Sequence, residues 1–229
     1  MRFINNTFNN MRQVLITIII LICYNTSHAQ TNDGQYYLIK TNIGNIKFVL
    51  YDETPLHKEN MIKQINEGLY TYLLFHRVIM TFMIQGGDPD SKDAPPEKTL
   101  GLGGLDYTIP AEFNINCIHK RGAIAAARKG DQVNPLKESS ACQFYIVHGK
   151  VYTEAELSLM AKQMQTQFNE HQIKTYTTVG GVPYLDYAYT VFGEVVEGMD
   201  VVDKIASQPV NNAKRPLKNI TFTIEKIKN

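Results

Sequence analysis

The 229-residue chain lacks a charge excess of either sign. Lysine and arginine number 23 against 22 for aspartate and glutamate, so the formal net charge is +1. A protein whose main partner is nucleic acid needs a concentrated basic face to neutralise phosphates. Because no long basic or acidic block is present, we predict that nucleic acid is not a partner.

The chain also lacks the residue spacings that metal, nucleotide and nucleophile sites require. No His-x-x-x-His or Cys-x-x-Cys pair occurs, so we predict no metal site. Ser139-Ser140 has no Gly-x-Ser-x-Gly elbow around it, which favours a turn or strand over a nucleophile. Gly101-x-Gly103-Gly104 lies in a proline-rich loop rather than between a strand and a helix, so it is not a nucleotide-binding fingerprint.

No apolar run is long enough to make a permanent membrane span. The run Val14–Ile22 falls short of the ~20 residues that a helix needs to cross a bilayer. Arg12 precedes it, and Ser27-His28-Ala29 follows with small residues at the positions that a signal peptidase reads. We therefore expect residues 1–29 to be a signal peptide that is cut after Ala29, and the mature protein to be exported and periplasmic. Met11 is an alternative start that leaves the mature chain unchanged.

Cysteine is scarce, with three in the whole chain. Cys23 leaves open a lipid anchor, but bulky Ile22 stands where a lipobox has a small residue, so this alternative is the less favoured one. Cys117 and Cys142 remain after removal of the signal peptide. A disulfide between them is allowed in an oxidising compartment, but their apolar surroundings favour two buried thiols.

What is present is mainly a β pattern. Ile46, Phe48 and Leu50 alternate with other side chains, which predicts a hairpin over residues 35–51. Thr54-Pro55 predicts the capped start of a short helix that ends near Gly68. Further strands are predicted from short apolar runs within residues 73–88, 122–147, 192–196 and 220–224, with a long loop at 88–109 and a helical turn at 201–205.

One stretch departs from the β pattern. Thr153 and Glu156 form a capping box, and apolar residues recur after it at helical spacing. The pattern predicts one amphipathic helix of about four turns from Thr153 to about Glu170. Its apolar stripe is interpreted as packing on the body of the protein, with a partner-binding or lid role as the alternative. The stripe consists of Leu157, Met160, Ala161, Met164 and Phe168.

The block from Phe75 to Asp88 places residues of different chemistry at alternating positions. Arg77, Met83 and Gln85 can lie on one face of neighbouring strands. By residue type alone, this is a guanidinium beside an apolar pocket with an amide nearby. The alternative is that Arg77 is a surface cation and that Phe82 and Met83 belong to the core.

Four ordered motifs resemble those of the cyclophilins, a family of peptidyl-prolyl cis/trans isomerases. They are Phe75-His76-Arg77 with Phe82-Met83-x-Gln85-Gly86-Gly87-Asp88, then residues 122–128, residues 140–146, and Leu185-Asp186 with residues 191–195. The resemblance runs from about Gln35 to the C-terminus and implies one isomerase domain over residues 30–229. It implies a mainly β fold, an eight-stranded antiparallel closed barrel capped by two helices. A helical insertion at about residues 150–181 interrupts the family pattern, and we expect the barrel to fold without it.

The resemblance also implies which residues form the site. Arg77 matches the catalytic arginine, and Gln85 matches the amide that holds the substrate backbone. Tyr145 stands where many members have Phe, Tyr184 where some have Trp and Tyr189 where many have His; each keeps an aromatic body. The implied substrate-binding residues are Phe82, Met83, Ala127, Arg128, Gln143, Tyr145, Tyr184, Leu185 and Tyr189.

These residue types suit rotation about an X-Pro bond. The rotation loses amide resonance, against a barrier of ~18–20 kcal/mol, and needs no nucleophile, metal or cofactor. An arginine donor stabilises the twisted amide more than the planar one. We therefore expect a monomeric isomerase that acts on proline-containing peptides and unfolded exported proteins and assists their folding. The alternative is a non-catalytic cyclophilin-fold module that binds proline-containing peptides.

Overall fold

This computed structural model describes residues 35–227, which contain eleven strands and four α-helices. The predicted signal peptide lies outside the described residues. The strands are β1 (Tyr36–Thr41), β2 (Gly44–Leu50), β3 (Leu73–Leu74), β4 (Arg77–Ile79), β5 (Met83–Gly86), β6 (Thr108–Ile109), β7 (Ala123–Ala126), β8 (Ser139–Ser140), β9 (Phe144–Val147), β10 (Val191–Glu197) and β11 (Thr221–Lys226). The α-helices are α1 (Pro55–Asn66), α2 (Glu154–Met164), α3 (Glu170–Thr178) and α4 (Met199–Ala206), and two short 3-10 helices cover Pro89–Ser91 and Pro183–Leu185.

The main sheet is antiparallel and curls until its two edges meet in one chain segment. Its order is β3-β11-β1-β2-β10-β7-β9-β5-β4, and the edge strands β3 and β4 are separated only by Phe75 and His76. At this seam Phe75 N donates to Ile220 O and His76 N donates to Gln85 O, both at 3.0 Å. The predicted mainly β, helix-capped barrel is confirmed. The strand count is nine instead of eight because Phe75 and His76 interrupt one bent strand.

Helix α1 begins at the predicted proline, but a different residue caps it. The side chain of Thr54 makes no capping hydrogen bond. Instead, the Glu112 carboxylate accepts from the backbone N–H groups of Leu56 and His57, each at 3.0 Å. An anion is favoured at a helix N-terminus because the unpaired N–H groups there carry partial positive charge. The prediction that Thr54 caps this helix was therefore wrong.

Strands β5 and β9 separate two apolar clusters, one inside the barrel and one outside. Ile84 and Ile146 face the large interior core. Their neighbours Met83, Tyr145 and Val147 belong to a second cluster on the opposite face of the sheet. Because successive strand residues point to opposite faces, the same strands supply both the core and an outer apolar surface.

The insertion (residues 150–181) contains two helices, so the prediction of a single helix to about Glu170 was wrong. Helix α2 ends at Met164, and Gln165 has a left-handed backbone with φ 53°. A second capping box, made by Asn169 and Gln172, then starts α3. Phe168 lies between the helices, with its ring centroid 6.2 Å from that of Tyr176.

Part of the apolar stripe of the insertion packs as the favoured interpretation predicts, whereas Met164 is 38% exposed. Leu157 and Tyr176 join Ile118 and Tyr152 in a small buried cluster separate from the main core. Within α2 only Leu157 is buried, whereas α3 buries both Gln172 and Tyr176. The second helix therefore provides most of the attachment.

Candidate active site

Arg77 lies on β4 directly opposite Gln85 on β5. Its Nη1 is 3.3 Å from Gln85 Oε1 and 3.8 Å from Met83 Sδ. Its Cζ lies 5.7 Å from the ring centroid of Phe82. Burial lowers the pKa of Arg77, but a guanidinium stays protonated at neutral pH. Since only Nη1 makes hydrogen bonds within the described residues, its other N–H donors remain available.

A chain of amides extends from the guanidinium across the groove. Gln85 accepts from Arg77 and donates through Nε2 to Gln143 Oε1 at 3.0 Å. Gln143 in turn donates to the carbonyls of Gly103, at 2.7 Å, and Gly101, at 3.1 Å. Both amides are thereby oriented, and the long loop after Asp88 is tied to the groove.

An apolar pocket adjoins Arg77 on the outer face of the barrel. Met83 and Tyr145, with 1% and 4% exposure, form its floor. Around them pack Phe82, Ala127, Leu185 and Tyr189, which are half-buried. The site residues implied by the family resemblance are thus brought together here.

The rim of the pocket is aromatic. Tyr184 is 43% exposed and stacks on Phe82 with the ring centroids 6.1 Å apart. Tyr189 meets Tyr145 edge to face at 6.0 Å. Such tilted and offset aromatic pairs are favourable beyond the area that they bury.

Arg128 supports this rim from beneath. Its Nε donates to Ala188 O at 2.6 Å, and its Nη1 reaches Asp131 Oδ1 at 2.5 Å. The Arg128 Cζ lies 4.4 Å from the ring centroid of Tyr189. The Arg128 side chain is only 4% exposed, so it contacts Tyr189 and the backbone rather than opening into the groove.

The backbone that carries Phe82 is held by the segment after β9. His148 N and Gly149 N donate to Phe82 O at 3.0 and 3.1 Å. Thr81, with φ 62°, donates its backbone N–H to His148 Nδ1 at 3.0 Å. A non-glycine residue with positive φ is uncommon and is maintained here by these contacts.

The sequence analysis missed a buried polar network behind the pocket. We name it the Asp186 network; its members are His119, Tyr145, Gln172, Tyr176 and Asp186. The sequence identifies Asp186 only as part of a family motif and gives no sign that His119 contacts it. These residues lie up to 67 positions apart, so no local spacing signals their contact.

The two cysteines of the described region are free thiols, as the favoured interpretation predicts, but only one of them is buried. Cys142 is buried and Cys117 is half-buried. Burial raises the pKa of both thiols, that of Cys117 to about 11. A protonated thiol is a weak nucleophile, so neither cysteine has the character of a reactive one.

The fold and the groove together define a β-barrel with an arginine-flanked apolar pocket on its outer face. The family model for the cyclophilin type peptidyl-prolyl cis-trans isomerases matches residues 36–229. A Staphylococcus saprophyticus protein named for peptidyl-prolyl cis-trans isomerase activity is 34% identical over 201 residues, which are 87% of this chain and 95% of the relative. A Staphylococcus aureus protein of the same name is 32% identical over the same shares of the two chains.

The chain therefore belongs to the cyclophilin-type peptidyl-prolyl cis-trans isomerase family and has the isomerase activity of that family. A crystal structure of a Cryptosporidium parvum cyclophilin type isomerase has a TM-score of 0.63 and 23% identity, covering 86% of this chain and 99% of the other. A second structure of that protein, obtained in the presence of the dipeptide Ala-Pro, has a TM-score of 0.60 and 21% identity over 85% of this chain and 100% of the other. At these identities the likeness concerns the fold.

Within residues 35–227 no helix is both long enough and apolar enough to cross a membrane.

Proposed function

We propose that Arg77 is the catalytic residue of this isomerase and that the adjoining pocket binds the proline ring of the substrate. The observation that carries the proposal is the half-buried guanidinium beside the floor formed by Met83 and Tyr145, with N–H donors that make no hydrogen bond within residues 35–227. A proline seated on an apolar floor brings its amide to the edge of the pocket. There an oriented cation is the nearest strong donor.

The mechanism follows from how the amide changes during rotation. When the C–N bond twists, resonance is lost and the prolyl nitrogen becomes pyramidal and basic. A donor aimed at this nitrogen binds the twisted amide more tightly than the planar one, which lowers the barrier. A rate increase of about 10⁵ needs roughly 7 kcal/mol of such differential stabilisation. Arg77 supplies the donor, and Gln85 accepts from it and fixes its orientation.

We also propose that Gln85 and Gln143 hold the substrate backbone. Their amides form a hydrogen-bonded chain from Arg77 to the carbonyls of Gly101 and Gly103. An extended peptide lying along this chain meets oriented donors and acceptors. The structure obtained with Ala-Pro for the Cryptosporidium relative supports a proline-containing peptide as the ligand class.

The proposed setting is the periplasm, where a monomeric enzyme would assist the folding of exported proteins. The support is the order of Arg12, the apolar run and Ser27-His28-Ala29 in the sequence. Intact-mass analysis of the exported protein tests this, and we expect Gln30 as the first residue. A mature chain that begins at an acylated Cys23 would contradict it.

The catalytic proposal is tested with Arg77→Ala and Arg77→Lys in a protease-coupled assay on a proline tetrapeptide. We expect both variants to lose turnover while they still bind the peptide, because lysine keeps the charge but not the planar fork of donors. Unchanged turnover in Arg77→Ala would refute the assignment. Binding without turnover in the wild type would favour the non-catalytic module.

A further inference from the structure

Asp186 connects the insertion to the barrel. It follows the short 3-10 helix Pro183–Leu185, next to the pocket residue Leu185, and is 7% exposed. Its Oδ1 accepts from the backbone N and from Nδ1 of His119, each at 2.9 Å. Its Oδ2 accepts from Gln172 Nε2 at 2.8 Å and from Tyr176 Oη at 2.7 Å. Both donors to Oδ2 therefore come from helix α3.

His119 continues the network to the pocket floor. An ionised carboxylate only accepts, so Nδ1 of His119 carries the proton in this pair. The other nitrogen, Nε2, lies 2.9 Å from the hydroxyl of Tyr145 and accepts from it in the neutral ring. The two rings are almost parallel, with an interplanar angle of 16°. Burial also raises the pKa of Tyr145, so its hydroxyl remains a neutral donor.

The end of the insertion fits closely against these residues. Gly181 packs closely against His119 and Tyr176, since a Cβ on it would lie 2.2 Å from His119 O and 2.7 Å from Tyr176 Cε1. Val182 N then donates to His119 O at 2.8 Å. The insertion is thus joined to the barrel at the residue that contacts Tyr145.

We propose that Tyr176 and Gln172 of the insertion are positioning residues, which hold the ring of Tyr145 in the proline pocket through Asp186 and His119. This inference rests on the proposed function of the pocket. A tyrosine anchored at its hydroxyl has one ring orientation, so the pocket floor is preformed before the substrate binds. Loss of the anchor leaves buried polar groups unpaired and allows the floor to shift.

The expected effect is on substrate binding rather than on the chemical step. The floor contacts the proline ring, which changes little while the amide twists, so the ground state and the transition state lose the same binding energy. Such a loss raises KM and leaves kcat unchanged. The insertion would therefore set the affinity for the peptide without taking part in the rotation.

The test compares Tyr176→Phe in two backgrounds. In the wild-type background we expect KM for a proline tetrapeptide, and Kd for an Ala-Pro peptide, to rise about three- to tenfold, the range of one lost hydrogen bond, with kcat within about twofold. In the Tyr145→Phe background, where the anchored hydroxyl is absent, the same substitution should change neither KM nor Kd further.

Tyr152→Phe is the matched control. Tyr152 belongs to the same buried cluster, and its hydroxyl makes no hydrogen bond within residues 35–227. The control should leave kcat, KM and Kd unchanged. A Tyr176→Phe effect of equal size in both backgrounds, or no effect on KM and Kd, would overturn the inference and leave the insertion a purely structural role.

A further variant keeps the inference testable if Tyr176→Phe does not fold. Asp186→Asn replaces one carboxylate oxygen by an NH2 group, which accepts no hydrogen bond, so two of the four donors to Asp186 lose their acceptor and the same dependence on Tyr145 is expected. If the wild type shows no turnover, the proposed catalytic function fails. The Kd values then still decide whether the network positions the pocket.

Discussion

Arg77 and the Asp186 network border the same pocket but differ in how many of their polar groups are hydrogen-bonded. Arg77 is half-buried, uses one nitrogen for hydrogen bonds within the described residues and leaves its other donors available. Asp186 is almost fully buried and accepts four hydrogen bonds. A residue that donates to a transition state needs N–H groups that are not already hydrogen-bonded. A positioning residue is more rigid when all its polar groups have partners. The comparison separates the residue that acts from the residues that hold its surroundings.

Replacing Arg77 by alanine should have the largest effect. We expect kcat to fall by about 10²–10³, or ~2.7–4 kcal/mol, because an oriented donor to the transition state is lost. Peptide affinity and melting temperature should change little. The measurement is kcat, KM and thermal unfolding on the same preparations. A collapsed melting temperature would instead make Arg77 a structural residue.

His76 sharpens the comparison because it is a buried histidine without the partners that His119 has. Neither of its ring nitrogens has a hydrogen bond of normal geometry within the described residues. Burial lowers its pKa from 6.5 to about 4; Asp88 and the backbone of Leu74 act in the opposite direction, and Arg77 and Arg215 add smaller lowering contributions. As the pH falls from 6.5 to 4, the unfolded chain takes up a proton that the folded chain does not. Stability contributed by the neutral ring is therefore lost in this window.

The loss at His76 should amount to roughly 3 kcal/mol of unfolding free energy. The check is the free energy of unfolding at pH 7 and at pH 4 for the wild type and His76→Asn. Burial also lowers the pKa of His57 and His148, and both remain in the variant, so the difference isolates His76. An identical pH dependence in the two proteins would contradict the assignment.

Removing the insertion should have an intermediate effect. Replacement of residues 151–179 by a short Gly-Ser turn should leave a folded barrel, because the cluster under the insertion is separate from the main core. The two donors to Asp186 Oδ2 are lost, so we expect KM to rise about tenfold while kcat is retained. Circular dichroism tests whether the barrel folds, and the tetrapeptide assay measures KM and kcat. Failure to fold would show that the stripe of the insertion completes the core.

Replacing Arg128 by methionine should have the smallest effect. The cation above the Tyr189 ring and the hydrogen bonds to Ala188 O, Lys129 O and Asp131 are lost, while the apolar stem is kept. We expect about a two- to fivefold rise in peptide Kd, the range of one cation–π contact, with unchanged kcat. Titration of a proline peptide checks this. A fall in kcat comparable with that of Arg77→Ala would give Arg128 a direct role in the reaction.

Much of the fold was predictable because its signals are local. The alternation of Ile46, Phe48 and Leu50 corresponds to β2, and the proline at 55 starts α1. The break of one barrel strand at Phe75 and His76 was not predictable, because it depends on how the two edges of a curled sheet meet. The cap of α1 was missed for a similar reason, since Glu112 lies 56 and 55 positions from Leu56 and His57, whose N–H groups it caps.

The sequence by itself determined which residues face outward beside Arg77. Strand alternation puts Arg77, Met83 and Gln85 on one side of a short hairpin, and the ordered family motifs identify their partners. Only the tertiary structure decided what lies behind the pocket. Tyr145, His119, Asp186 and Tyr176 come from four separate segments, and hydrogen bonds of 2.7–2.9 Å exist only when the barrel and the insertion bring them together. Buried polar groups need hydrogen-bond partners, and these come from whichever segments the fold brings together. No periodicity along the chain predicts which residues will be paired.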